Sequence, residues 1–374
     1  MGIFANTAIR ESYGYAPDVL SDVQLRQFDA EDTMFESALI ALAESDSEWR
    51  DIMDQMAAKE YAVLESTGQE MVYEAVDVKG FFEKVVDWFK KLWAKIAGLF
   101  SKFLQAIQTK VSDDAKFLQK YEKKITTGYN LIPSGGIAFK GHDFEHIADI
   151  DYQSIADVSA SSENKTLGVV DVYESVKTTG DKKDIQAMKK ALDKFRTNKS
   201  KIEDNVRGAA LYGKSGKSVT ANEFNKKCRE YLFGKEFTQF TGKGKQMSAA
   251  DIINEIKTGK FAKEQCKINY NQLKNSINQT IAEINNMSKN SINMNTDDEL
   301  RGLKMAAANL ITGLYRTTGN IYQTINGVQL SAMNARHSQA RSLAMKCVQL
   351  ADKETAVNAS TVMDTEDLES MMEY

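Results

Sequence analysis

Apolar residues recur three and then four positions apart at Phe82, Val85, Val86, Phe89, Leu92, Trp93, Ile96, Leu99, Phe100, Phe103 and Ile107. That spacing draws one face of a helix. Seven aromatics fall between Phe81 and Phe103, while Lys84, Lys91, Lys95 and Lys102 mark the opposite side. A face this apolar needs a core, a partner helix or a membrane surface. The residues that present it as an interaction face are Phe82, Val85, Phe89, Leu92, Trp93, Ile96, Phe100 and Phe103. Ser112, followed by Asp113 and Asp114, has the chemistry of an N-cap, so Ser112–Ile125 either continues this helix or restarts it.

Helical periodicity returns on both sides. Upstream, Phe28, Phe35, Leu39, Leu42, Trp49, Ile52, Met56 and Val63 form a looser stripe, which predicts a hairpin or two short helices between Leu20 and Ser66. Between residues 126 and 180 the pattern changes. Turn residues at Pro133–Gly136 and Gly141 bound short β-favouring runs, including LGVVDVYESV (167–176), and predict a small α+β insert. From residue 181 helices resume, with Ile185, Met188, Leu192 and Phe195 on one face. Two long periodic segments follow, one carrying Leu273, Ile277, Ile281, Ile284 and Met287. The other runs from the acidic cap at Asp297 and Asp298 toward Asp352; unbroken, it would span about 75–80 Å. Gly313, Gly319 and Gly327 are its candidate kinks.

The expected fold is mainly α: a helical bundle with a long C-terminal antiparallel helical hairpin and a small β-containing insert. The expected units are an acidic helical leader or propiece (1–77), a basic aromatic amphipathic helix (78–125), the insert (126–180), a helical body (181–350) and an acidic tail (351–374).

Composition sharpens this picture. Only two prolines occur in 374 residues, so long helices are permitted. Three cysteines, Cys228, Cys266 and Cys347, stand far apart with no CxxC pair, which argues against a disulfide framework and suits a reducing compartment. The N-terminal residues lack the basic start and apolar run of a secretory signal, and no uncharged stretch is long enough for a transmembrane helix. The expectation is a protein made in a cytoplasm and kept or packaged there. The net charge of −4 conceals blocks: residues 1–77 carry 17 acids against 4 bases, and residues 351–374 carry 7 against 1. An acidic arm and an acidic tail thus flank a basic body, a pattern of solvation and docking. The leader is expected to shield the aromatic helix until assembly or cleavage.

Three motifs suggest chemistry. Gly208 to Ser215 spells GxxxxGK[ST], but a phosphate-binding loop needs a buried strand before it, and the preceding text is polar and helical. His142-Asp-Phe-Glu145-His146 spells HxxEH, in which two histidines one helical turn apart hold zinc with the glutamate as base. Its setting beside Gly141 is strand-like, so a structural pair is the better reading. His337 lies alone in the last long segment. The lysines of 182–201 and 213–245 suit a solvated face or non-specific phosphate contact. No catalytic residue, cofactor or metal is assigned, and no enzyme is expected.

The leader, the stretch GFFEKVVDWFKKLWAKIAGLFSKF, the following KFLQKYEKKI and the patch IAFKGHDF together resemble the internal or structural virion proteins of large tailed bacteriophages. The resemblance covers mainly residues 60–145 and rests on arrangement rather than on a motif. It implies a head-interior or assembly-core protein, with other virion proteins and further copies of itself as partners and packaged DNA as a neighbour. Some such phages trim head proteins after Leu-x-Glu, which points to Leu42-Ala43-Glu44 and a cut after Glu44. Two other functions follow from the residues: a membrane-active protein that uses 78–111 during genome ejection, and a metal-dependent hydrolase at His142 and His146.

Overall fold

The computed structural model describes residues 78–159, 167–176, 182–213, 217–290 and 298–372. The leader stripe, the Glu44 processing site and the residues Lys214 and Ser215 lie outside them. The described elements, in order, are α1 (Val78–Asn130), β1 (Ile137–His142), α2 (Tyr152–Ser159), α3 (Val169–Ser175) and α4 (Lys182–Tyr212). They continue with α5 (Ala221–Phe233), β2 (Glu236–Phe240), α6 (Ala249–Thr258), α7 (Lys260–Asn290) and α8 (Asp298–Met372). The fold is mainly α, with one small antiparallel sheet among the described residues.

Helix α1 runs unbroken through Ser112. Its buried stripe explains why: after Phe103 and Ile107 it continues through Leu118, Ile125 and Gly128 at multiples of three and four. A cap at Ser112 would have interrupted a face that still has partners to meet.

Those partners are α7 and α8. Phe89 meets Tyr315 edge-on at 6.2 Å, and Trp93 and Phe100 pack on Tyr270 at 4.9 and 5.5 Å. Lys110 donates to Asn334, and Arg341 donates to Asp114 while lying over the Phe117 ring. Rising numbers on α1 therefore meet rising numbers on α8, so these two helices run parallel. Along α7 the order reverses, from Tyr270 beside Trp93 to Lys263 donating to Gln108. The two arms of the expected hairpin thus run antiparallel, touching where Ser276 and Thr280 meet the Tyr322 hydroxyl, and α1 lies against both.

Two apolar cores lie in series along this assembly. The larger surrounds Phe81 to Ile107 with α2–α5, α7 and the first half of α8. The smaller joins Leu118 and Ile125 to Phe139, Phe240, Ile252 and Leu343.

Two expectations change. The run LGVVDVYESV is helix α3 and not a strand. Its valines and tyrosine favour strands locally, but Val169, Val172, Tyr173 and Val176 also fall at helical spacing and bury one face. The partner of β1 comes from far away: β2 pairs with it antiparallel, Ile137 opposite Phe240 and His142 opposite Glu236, with an irregularity between Ala138 and Gly141. The β-favouring insert therefore supplies half a sheet, and a Lys/Gly-rich segment supplies the rest.

Candidate functional site

All eight residues of the predicted interaction face lie in the interior of this chain. Phe82, Val85, Phe89, Leu92, Ile96, Phe100 and Phe103 are buried, and Trp93 is half-buried against them. Their partners are α7 and α8, so the choice between core, partner and membrane falls to the core within the described residues. Burial of each large side chain is worth about 1.5–3 kcal/mol. Exposing the whole face would cost as much as a domain's usual net stability of about 5–15 kcal/mol.

Polar chemistry gathers elsewhere, at the segment from Gly141 to Tyr152. Two glutamines of α8 brace it. Gln339 accepts from the His142 backbone N–H and donates to the His142 carbonyl, both at 2.9 Å, completing the ladder at the end of β1. Gln329 donates to the Ile147 carbonyl at 2.8 Å and accepts from the Tyr152 hydroxyl at 2.7 Å. Ten residues separate the two glutamines, about 15 Å along the helix. Their amides supply the partners that a buried loop would otherwise lack.

This bracing separates the two histidines of HxxEH. His142 ends β1, its ring edge-on to Phe233 at 5.4 Å. His146 follows a turn and stacks flat on Tyr231 at 4.5 Å while pairing with Asp149. Phe233 and Tyr231 lie two residues apart on α5, about 200° around it, so the rings attach to different sides of that helix. The helical setting that would let both histidines reach one zinc is missing. Burial lowers the basicity of His142, with the Glu236 carboxylate opposing it. Among the described residues, no group of three or more His, Cys, Asp and Glu is placed to hold a metal ion.

Glu145 stands between two clefts. One, of about 420 Å³, is lined by residues including His142, Asp143, Glu145, Asp251, Arg336 and Gln339. Its acids have partners: Asp143 accepts from the backbones of Glu145 and Lys235, Glu145 pairs with Lys245, and Asp251 closes a capping box with Ser248. Arg336 lies over the Phe261 ring, 3.4 Å from its centroid, and its burial depresses the guanidinium pKa while Glu255 and Asp251 counter it. The second cleft, about 470 Å³, opens on the other side of Glu145 between His146, Tyr212, Tyr231 and Lys235.

The GxxxxGK[ST] string begins inside α4. Gly208 is there because the returning chain crosses it: a Cβ would sit 1.8 Å from the Lys217 carbonyl oxygen. No strand delivers this loop; it follows the end of a 31-residue helix. His337 is not alone. Its Nδ1 lies 3.2 Å from the Glu255 carboxylate, both side chains almost wholly buried, and the other Glu255 oxygen accepts from the Phe261 backbone where α6 passes into α7. Sequence reasoning missed this pair, the glutamine braces and the meeting of Tyr212 with Tyr231. Each depends on contacts between distant segments, and no local spacing signals them.

Comparison with protein-family models, curated proteins and solved structures finds no match for this chain.

Proposed function

We propose that this chain is a non-enzymatic structural protein of a tailed bacteriophage virion, associated with the head interior or its assembly core, acting through helix-mediated protein contacts. The observation that supports the reading is the division of charge between an acidic leader and a basic helical body, whose apolar α1 face is used up inside the chain. Long helices fill each other's apolar sides within one chain, and the outward side of α1 is largely polar, with Lys90, Lys91 and Lys102 exposed alongside Leu104. The acidic leader, with a net charge of −13, and the basic body suit contacts made by charge with other virion proteins, with further copies and, through the lysines, with packaged DNA. The arrangement over residues 60–145 agrees in style with internal virion proteins of large tailed phages.

Mass spectrometry of purified particles and of their precursor heads tests the proposal. Peptides of this chain in either preparation, with a new N-terminus after Glu44, are the expected result. Absence from both would overturn it.

The membrane-active reading requires the 78–111 face to leave its core. No described helix is long and apolar enough to cross a membrane. The zinc-hydrolase reading loses its geometry at His142 and His146.

A further inference from the structure

We propose that the cleft between α4, α5 and the His146 turn is a stacking site for the bases of single-stranded nucleic acid. Its walls are two aromatic plates at right angles. His146 and Tyr231 form one, stacked at 4.5 Å with 7° between their planes. Tyr212, the last residue of α4, forms the other, meeting Tyr231 at 5.6 Å and 82°. Tyr212 is 42% exposed, one of four large hydrophobic residues so exposed among the described residues. A flat ring laid on one plate finds its edge against the other.

Lysines stand at the rim. Lys227 and Lys235 line the cleft, Lys227 paired with Glu223 at 3.5 Å. Lys235 is exposed, and its hydrogen bonds among the described residues come from its backbone, to Asp143. The rim carboxylates are neutralised, Glu145 by Lys245 and Glu230 by Lys226. The surrounding segment, 217–245, carries seven Lys and Arg against three Glu. Flat aromatic faces beside lysines are what a sugar–phosphate chain with unstacked bases requires, because every base offers a π-face and every linkage a negative charge. An acidic peptide fits less well, since the lining contains no aliphatic side chain to receive an apolar anchor. Duplex DNA keeps its bases stacked internally and has none to offer the plates.

The site rests on its own geometry and does not depend on the virion reading. The test uses full-length protein and fluorescence anisotropy at about 50 mM salt, where phosphate contacts are strong. The probes are a labelled oligothymidylate of about twenty nucleotides, a duplex of equal length and a glutamate-rich peptide, with thermal melts confirming that each variant folds. Tyr212→Ala is expected to weaken oligothymidylate binding about tenfold, Tyr212→Phe to retain it, and neither to change duplex binding. The proposal is overturned if oligothymidylate fails to bind, or if Tyr212→Ala leaves its binding unchanged. Peptide binding with the same dependence on Tyr212 would also overturn it, and would assign the shelf to acidic protein segments.

Discussion

At the scale of residues, the helices are held by a few positions where size or charge leaves no latitude. Gly128 is one. A Cβ there would sit 1.8 Å from the Cys347 carbonyl oxygen, so α1 and α8 touch backbone to backbone at that point. Gly128→Ala should cost about 2 kcal/mol through forced separation, read as a lower urea midpoint with an unchanged slope. Glu283 is another. Burial holds its carboxyl above the ordinary range, opposed by a hydrogen bond from Gln279 and reinforced by Asp157. Such a group binds its proton more tightly folded than unfolded. Its effect is most favourable below the unfolded value near 4.5, and stability is lost as pH rises through the higher folded value. Glu283→Gln should remove that loss, raising the urea midpoint at pH 7 more than at pH 4. An equal change at both would show that the carboxyl's ionisation does not matter. Neither residue announces itself in the sequence, because the close approach at Gly128 and the burial of Glu283 both arise from tertiary packing.

At the scale of elements, legibility followed periodicity. The apolar face of α1 was readable because Phe82 to Ile107 keep helical spacing and oppose lysines. Helix α3 was not, because Val169, Val170 and Val172 carry strand preference over too few residues for spacing to decide. Strand β2 (EFTQF) was hidden for the opposite reason: its burial is slight, and only its pairing with β1 defines it. Helix α8 shows a third limit. Near its middle it is buried on all sides, with Gln323, Asn326, Gln329 and Asn334 among the buried residues, so little polar face remains to be read. The candidate clefts were less legible still. HDFEH marked the right segment for a chemistry its geometry does not support, while Tyr212 and Tyr231 are brought together only by tertiary folding.

The same burial yields an element-scale prediction. The isolated 78–111 peptide is amphipathic and should bind and leak anionic vesicles, whereas the intact chain should leave them sealed. Leakage by the intact chain at similar concentration would mean that α1 leaves its core at a lipid surface.

At the scale of the whole molecule, the central claim is that α1 lies between the two long C-terminal arms, parallel to α8 and antiparallel to α7. A face suited to a partner or a bilayer is then the chain's own interior. Two exposed ion pairs report this arrangement: Lys124 with Asp352, and Lys257 with Glu122 at 3.7 Å. Both belong to the lower half of the assembly, where the smaller core joins α1 to α6 and α8. Carbodiimide, which joins a lysine to a carboxylate only in direct contact, followed by mass spectrometry of the monomer, is the most direct measurement. The account predicts cross-linked peptides joining Lys124 to Asp352 and Glu122 to Lys257. Cross-links from the Lys124 region to the start of α8 near Asp298 would reverse the helix direction and contradict it.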